Sequence, residues 1–491
     1  MSDFTFMPKL ASAYLTESDP AKRAAYAKAW MDISLDFFAD NQSWPQGRNL
    51  SAAKRLAQLV STFSVFRADP GIDAGDLVAY LSGVHATTNY LVGVLPVHFG
   101  NNWYMSMARS VHAAAVFLPE FSAASGWEWF AMRSAERFLR TWLKGDGVYR
   151  EPAFNYQAYV ADMLNSVIAL AQSNGRAVPD ALVQGADWIA DSLFATRQPN
   201  LEPAAIGDTP NDTAGTSAIR RSGVRNSWSD FTWVASGRTH GTVPTLSSTV
   251  FPISFAVQRS GWDADARYML INNQNTSYTA SHRHPDDLSL VMAAYGRPLI
   301  VDSGVGDYSA TPTNEWMRRQ TEAHNTVEVD GEPQAKSVPR TTSRWRSNAG
   351  LDIYRGAAMG YRPVEHDRVV YFVKPGFWVV SDALTGDTAA HKYRQLWHFP
   401  GDPVTVNSTT KAATVGFDTV PGAAPVAGVR LIPVATSGAA VTPPGSTTMA
   451  PYGSASGCSP TSTSCRTTGP PAGRRDWTRS WFPARPARRP R

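Results

Sequence analysis

Cysteine is nearly absent from this sequence. Its two cysteines, Cys458 and Cys465, both lie near the C-terminus. The rest of the chain therefore has neither a disulfide framework nor a thiolate metal site. The sequence contains no apolar run of the roughly 18 residues that a membrane-spanning helix needs. The N-terminus also lacks the basic start and following apolar stretch of a signal peptide. We expect a soluble, cytoplasmic protein as the sequence stands, or a secreted or periplasmic one if the true start is missing.

Excess positive charge is missing from most of the chain. The net charge is +5, but residues 446–491 hold eight Arg and one Asp. Subtracting the tail's +7 from +5 leaves −2 for the remainder. The Arg-rich end has few interleaved aromatics and no periodic pattern behind it, so nucleic acid is not an expected partner.

The first 200 residues carry apolar side chains at helical spacing. Examples are Leu56, Leu59, Val60 and Phe63, and later Tyr156, Val160, Met163, Leu164 and Val167. Such repeats predict amphipathic helices, and we expect about seven in an all-α domain over residues 1–200.

The chain changes character after residue 200. Residues 201–245 are polar and rich in Gly, Ser, Thr and Asn, which predicts a linker or long surface loop. Residues 246–440 alternate short β-branched and aromatic runs with turns, which predicts an antiparallel β-sandwich. Residues 441–491 are rich in Pro, Gly, Ser, Thr and then Arg, and are expected to be disordered or aberrant.

Histidine is also sparse, with ten in the chain, yet three lie within 43 residues together with Asp302. These are His282, His284 and His324. Neutral imidazoles and a carboxylate are ligands for a divalent transition metal. A turn at Gly296-Arg297-Pro298 predicts a hairpin between His284 and Asp302. Spacing alone also permits ordinary loop and strand-end polar residues.

Three motifs in this region carry a family resemblance. In order they are His-Arg-His-Pro-Asp-Asp-Leu-Ser (282–289), Gly-Arg-Pro-Leu-Ile-Val-Asp-Ser-Gly (296–304) and Ala-His-Asn-Thr-Val-Glu-Val-Asp-Gly (323–331). Together they resemble the heparinase II/III-like family of polysaccharide lyases. The resemblance implies an N-terminal α/α toroid followed by a C-terminal antiparallel β-sandwich. It further implies a zinc, structural rather than catalytic, held by His284, Asp302 and His324.

The resemblance also implies catalytic residues. Asn102, in Gly-Asn-Asn-Trp-Tyr (100–104), matches the family's Asn-bearing helix start and would neutralise a substrate carboxylate, with Asn101 as second choice. An ordinary helix cap is the alternative. Tyr156 matches a family Tyr that acts as base or acid, although Gln157 stands where the family has His. A core tyrosine is the alternative there.

Two further side chains complete the expected site. His282 would share proton transfer or bind the carboxylate, unless it is a second metal ligand or a structural histidine. Tyr308 would protonate the leaving group, unless it is a buried strand-end tyrosine. Arg318 and Arg319 could bind a carboxylate or sulfate, although paired surface arginines are usually only solvated.

The sequence therefore predicts a lyase that cleaves uronic-acid-containing glycans, of heparin/heparan or alginate type, by β-elimination. A zinc site would shape the active cleft, and the partner would be an acidic polysaccharide or oligosaccharide. Two alternatives remain at this point. One is a glycoside hydrolase that pairs Glu151 with Asp146 or Asp162. The other is a catalytically degenerate carbohydrate-binding protein.

Overall fold

The structure is a computed structural model that describes most of the chain. It covers residues 3–40, 49–96, 100–151, 153–210, 214–273, 282–306, 308–335, 343–401, 404–416, 427–434, 440–442 and 461–467. The chain divides into two compact units. The first unit is Met1–Gly147 with Ala158–Ala190, and the second is Val148–Gln157 with Asp191–Arg491.

Helices make up the described part of residues 1–200. They are α1 (Met7–Thr16), α2 (Pro20–Asp40), α3 (Asn49–Phe66), α4 (Ala74–Val94), α5 (Asn101–Phe117), α6 (Ala124–Trp142), α7 (Phe154–Ser173) and α8 (Asp180–Ala195). The predicted helical region is confirmed. Leu56, Leu59, Val60 and Phe63 are buried on α3, as their spacing requires.

Aromatic side chains tie α2, α3 and α4 together. Trp30 of α2 is fully buried and stacks on Phe66 of α3 at 5.0 Å between ring centroids. Its ring also lies 4.9 Å from that of Tyr80 on α4. The indole Nε1 donates to Thr62 Oγ1 at 2.9 Å, so the buried polar atom of Trp30 is satisfied.

His112 is an unusual residue in the middle of α5. It is 1% exposed, and neither ring nitrogen has a hydrogen-bond partner among the described residues. Burial, with a smaller contribution from the charge of Arg176, lowers the pKa of His112 to about 4 from an ordinary value of 6.5. The folded protein therefore holds this imidazole neutral well below neutral pH.

A polar segment turned out to contain two helices. Residues 201–245, expected to form a linker or surface loop, include α9 (Thr216–Asn226) and α10 (Ser229–Ala235). A few apolar side chains suffice to hold them. Ile219 and Phe231 are fully buried, and Phe231 stacks on Phe194 at 4.3 Å. Because the segment is polar on average, its composition did not indicate the few buried residues that stabilise these helices.

Antiparallel strands follow, as predicted. They are β1 (Thr249–Phe251), β2 (Phe255–Arg259), β3 (Tyr268–Asn272), β4 (Leu290–Ala294), β5 (Arg297–Ile300), β6 (Val327–Val329), β7 (Arg344–Ser347), β8 (Leu351–Tyr361), β9 (Val364–Val373), β10 (Phe377–Thr385), β11 (Tyr393–Phe399), β12 (Val404–Val406), β13 (Ala413–Val415), β14 (Val429–Leu431), β15 (Ala440–Thr442) and β16 (Thr461–Thr467). Between β5 and β6 lies one more helix, α11 (Pro312–Arg319).

The strands form four sheets with antiparallel neighbours. Their orders are β1-β2-β3-β4-β5, β10-β9-β8-β7, β15-β16-β11-β6 and β12-β13-β14. The predicted hairpin before Asp302 is confirmed: β4 pairs with β5, with Ala294 opposite Arg297. Its two loop residues, Tyr295 and Gly296, have φ of 55° and 74°. Positive φ at both positions is what a type I′ hairpin turn requires.

One apolar core joins these sheets. It contains Met269 and Ile271 from β3, Leu290 and Met292 from β4, and residues from other sheets, namely Tyr354, Ala358, Val370, Trp397, Phe399, Val415 and Val429. Alternate residues of β3, β4 and β11 face this core, because side chains alternate across a strand. Sheets that share a core in this way form a sandwich, so the fold class predicted from the sequence is confirmed.

The C-terminal region differs in part from the expected disorder. β16 pairs with β11 over its whole length, with Thr461 opposite Phe399, and β15 pairs with β16. Residues 443–460 and 468–491 lie outside the described residues. Among the helices that are described, none has the length and apolar character needed to cross a bilayer.

We predict that His112 makes the protein acid-sensitive. Between about pH 6.5 and pH 4 the unfolded chain binds a proton at this residue and the folded protein does not, so the free energy of unfolding falls as the pH falls. One such proton contributes a slope of at most about 1.4 kcal/mol per pH unit. The free energy of unfolding, measured by urea denaturation at several pH values in this window, should depend less steeply on pH in His112→Leu than in wild type.

His240→Gln, at an exposed histidine, serves as the control for loss of an imidazole. Equal slopes for wild type and His112→Leu would show that His112 is not held neutral by the fold.

Candidate functional site

Two loops of the second unit meet around His282. This residue lies in an irregular loop with φ of 71°. The backbone N–H of Asp208 donates to the His282 carbonyl at 3.3 Å. Gly207 has φ of 52°, and a Cβ there would lie 2.7 Å from the same carbonyl oxygen. Glycine therefore permits the close approach of the two loops.

One carboxylate bonds both histidines of the His-x-His motif. Asp208 Oδ2 lies 2.5 Å from His282 Nδ1, and Asp208 Oδ1 lies 2.8 Å from His284 Nε2. Burial alone would raise the pKa of Asp208, but the hydrogen bonds and charges of the two imidazoles outweigh it and hold the pKa well below its usual range. Asp208 is thus an ionised acceptor.

Three predicted catalytic side chains are brought together beside this carboxylate. The His282 ring stacks on Tyr156 with centroids 3.7 Å apart and 17° between planes. The Tyr308 ring stands edge-on to His282 at 5.9 Å. The Tyr156 and Tyr308 hydroxyls lie 3.0 Å apart. We call Tyr156, His282, Tyr308 and Asp208 the phenol–imidazole cluster.

The two phenols of this cluster are not sealed in the core. Tyr156 is half-buried, and Tyr308 is 53% exposed rather than a buried strand-end residue. Partial burial, then the hydrogen bond with Tyr156 and the charge of Asp208, raise the pKa of Tyr308. This phenol therefore keeps its proton near neutrality.

The predicted metal ligands also converge. His284, Asp302 and His324 each offer a ligand atom within 4.8 Å of the others, and all three residues are buried. His324 Nδ1 lies 3.0 Å from Asp302 Oδ2. His284 Nδ1 is buried and has no hydrogen-bond partner among the described residues. This nitrogen, an adjacent carboxylate and a second imidazole are a donor set that could hold a metal. We call these three residues the His–Asp–His group.

Buried polar contacts fix the strands around this group. Ser289 Oγ donates to Asp302 Oδ2 at 3.2 Å, and the Gly304 N–H donates to Oδ1 at 3.2 Å. Asn325 Nδ2 donates at 2.8 Å to the carbonyls of Leu290, on β4, and Val301, the residue after β5. The residue next to His324 therefore ties it to the hairpin that carries Asp302.

Sequence reasoning missed two acids of this region. Asp208 lies 74 residues before His282, inside the polar segment, and no local pattern distinguishes it. Asp286 belongs to the His-Arg-His-Pro-Asp-Asp motif and is 2% exposed. Burial raises the pKa of Asp286 despite the neighbouring imidazoles. Its place within a motif so rich in ionisable residues was the available indication.

Asn102 lies in the first unit, at the start of α5. It is 3% exposed. Gly100 is the N-cap, and Asn101 Oδ1 accepts from the Trp103 N–H at 2.9 Å. Asn101 thus satisfies one N–H of the first turn from inside the helix, whereas the catalytic role of Asn102 stays a prediction.

Four residues singled out in the sequence have structural contacts of their own. Gln157, which stands where the family has His, is buried and accepts from Ser192 Oγ at 3.1 Å. Glu151 is 1% exposed and accepts from the Tyr149 hydroxyl at 2.7 Å. Arg318 and Arg319 both pair with Glu315 on the same helix.

Both halves of the sequence match one family. Residues 2–220 match the family model of the heparinase II/III N-terminus. Residues 259–446 match the model of the heparinase II/III-like C-terminal domain. The chain therefore belongs to the heparinase II/III-like family, as its motifs had indicated.

Two curated relatives are bacterial enzymes. A heparin-sulfate lyase from Pedobacter heparinus is 23% identical over 389 residues, which are 74% of this chain and 57% of that protein. A heparin-sulfate lyase from Bacteroides stercoris is 22% identical over 357 residues, 69% of this chain and 52% of that protein. The chain thus matches little more than half the length of these relatives.

Solved structures share the fold. A heparinase III superposes with a TM-score of 0.78 at 18% identity, covering 95% of this chain and 75% of the other. The heparan sulfate lyase HepC from Pedobacter heparinus gives 0.75 at 19% identity, covering 96% and 74%. At such identities the likeness establishes the fold.

We predict that the His–Asp–His group binds a divalent transition metal. Elemental analysis of purified protein should find it in stoichiometric amount, and His324→Ala should lose most of it. Because the ligands join separate loops, chelation should lower the melting temperature as well. His240→Ala, at an exposed histidine, controls for nonspecific imidazole binding.

Titrating the chelated protein with Co²⁺ adds a spectroscopic test that does not depend on activity. An unchanged absorption spectrum, or wild-type metal content in His324→Ala, would contradict the assignment.

Proposed function

We propose that the protein is a polysaccharide lyase that cleaves heparin- or heparan-sulfate-type glycans by β-elimination next to a uronic acid. The observation that carries the proposal is the contact of Tyr156 with both His282 and Tyr308. The Tyr156 and His282 ring centroids are 3.7 Å apart, and the Tyr156 and Tyr308 hydroxyl oxygens are 3.0 Å apart. The substrate class comes from the curated relatives, which are heparin-sulfate lyases. Alginate-type substrates are a second class to test.

β-Elimination makes three chemical demands. The uronate carboxylate must be neutralised so that the C5 proton becomes acidic, a base must take that proton, and an acid must protonate the leaving oxygen. The electrons of the C5–H bond then form the C4–C5 double bond as the C4–O bond breaks. Neither water nor an oxidant is consumed.

The phenol–imidazole cluster can supply the proton transfers. The Tyr156 and Tyr308 hydroxyls are hydrogen-bonded to each other, so one, as the phenolate, can take the C5 proton while the other donates its proton to the leaving oxygen. The His282 ring stacks flat on Tyr156, and His282 Nδ1 is hydrogen-bonded to Asp208. Its Nε2 is then the ring nitrogen left to assist. We assign carboxylate neutralisation to Asn102, on the family resemblance of its helix start.

We assign zinc to the His–Asp–His group. Zinc accepts imidazole and carboxylate ligands, and the buried, unpartnered His284 Nδ1 suits that role. When bound, zinc would join the loop that carries His282 to the loops of Asp302 and His324. Elimination needs no activated water, so its role would be structural.

The two alternative functions lack comparable support. Inverting or retaining hydrolysis needs a pair of carboxyls about 5–10 Å apart that reach substrate, whereas Glu151 is buried and held by Tyr149. A degenerate, binding-only protein is not favoured because Tyr156, His282 and Tyr308 are all present and in contact.

We predict that Tyr156→Phe lowers kcat on heparan sulfate by about 10²–10⁴-fold, the usual contribution of a general acid or base. The substitution removes the hydroxyl but keeps the ring that stacks on His282. The assay is the ultraviolet absorbance of the unsaturated uronate, with heparin, chondroitin sulfate, hyaluronan and alginate screened in parallel.

Tyr159→Phe, on the same helix, is the matched control and should stay close to wild type. New reducing ends without ultraviolet absorbance would identify a hydrolase. Glycan binding with no product from wild type would identify the degenerate alternative, and equal kcat for the two variants would overturn the role of Tyr156.

A further inference from the structure

We propose that Asp208 is a positioning residue that sets the tautomers of both His282 and His284, and so links the phenol–imidazole cluster to the His–Asp–His group. The part that concerns His282 rests on the proposed function. The part that concerns His284 stands on geometry alone.

The two contacts of Asp208 involve different ring nitrogens. His282 presents Nδ1 to Oδ2, and His284 presents Nε2 to Oδ1. An ionised carboxylate can only accept, so both nitrogens must carry hydrogen. The remaining nitrogens, Nε2 of His282 and Nδ1 of His284, then carry lone pairs when the rings are neutral. One carboxylate thus enforces opposite tautomers on two rings that are two residues apart.

Each enforced tautomer has a chemical use. A metal binds the lone pair of a neutral imidazole, and the buried Nδ1 of His284 is the nitrogen left for it. In His282 the free Nε2 lone pair can accept a proton while the ring stays on Tyr156. The opposite tautomers would present N–H groups at both places.

The backbone of Asp208 reinforces the arrangement. Its N–H donates to the His282 carbonyl, and the Asp208 side chain is 3% exposed, against 18% for His282. The carboxylate is therefore held from two directions and largely shielded from water, so it can orient the rings.

Asp208→Asn is the informative substitution because it keeps the shape. A carboxamide has a single acceptor oxygen and places an NH₂ donor at the other position. One of the two histidines must then turn its lone pair toward residue 208. If this is His284, its Nδ1 becomes protonated and metal binding suffers; if it is His282, its Nε2 becomes a donor and turnover suffers.

We expect Asp208→Asn to lower metal affinity or kcat by about 10- to 100-fold, the usual effect of losing an orienting partner, with a smaller change in KM. Metal affinity is measured on chelated protein by competition with a chromophoric chelator. Long-range ¹⁵N NMR of histidine-labelled, metal-free protein reports the tautomers, assigned with His282→Ala and His284→Ala. Asp208→Glu, which restores two acceptors, should recover part of the loss.

Asp382→Asn is the matched control. Asp382 is also a buried carboxylate that accepts from a histidine, His366 Nε2 at 2.8 Å, together with Arg368. This variant should lose stability without a specific loss of metal affinity or kcat.

Two results would overturn the proposal. One is wild-type tautomers in Asp208→Asn. The other is metal affinity and kcat that fall no further than in the Asp382→Asn control. Failure of the proposed function is separate, because it appears as wild-type protein that forms no unsaturated product while the metal and NMR measurements still report on His284.

Discussion

The site depends on a buried negative charge that is shared between two imidazoles. A carboxylate removed from water is costly unless hydrogen-bond donors replace the lost hydration. At Asp208 those donors are His282 and His284. The Asp208 side chain itself has very little access to solvent. These hydrogen bonds hold residues 207–208 against the 282–284 loop. Tyr156 packs on the His282 ring that they position.

The sandwich provides the frame for these loops. Asp302 directly follows the β4–β5 hairpin, and His324 precedes β6. Asn325 donates to Leu290 on β4 and to Val301 just after β5, and its Oδ1 accepts from the backbone N–H of His398 on β11 at 2.6 Å. These hydrogen bonds anchor the loops of Asp302 and His324 to paired strands, which suits a structural metal.

Much of the fold was predictable from local patterns. Leu56, Leu59, Val60 and Phe63 repeat at helical spacing because α3 buries one face. The β4–β5 hairpin was also predicted, but its turn is Tyr295-Gly296, and Arg297 and Pro298 already belong to β5. The helices α9 and α10 were not predicted, since isolated buried residues such as Ile219 and Phe231 stabilise them in a polar segment.

The site was predictable only in part, because short motifs do not reveal distant partners. The three histidines and Asp302 followed from a dense family pattern. Asp208 did not, since its importance comes only from folding, which brings it to residues more than 70 positions later. The positive φ of His282 likewise could not be predicted from the His-x-His spacing.

The dual use of a single carboxylate also has an evolutionary consequence. Replacing Asp208 alone leaves two imidazole N–H groups without their acceptor, and replacing His282 or His284 alone leaves a buried charge partly uncompensated. Each single substitution at these three positions should therefore pass through a less stable intermediate. Lineages descended from this sequence should therefore inherit the trio together or discard it together, in contrast to the gradual drift open to the surface.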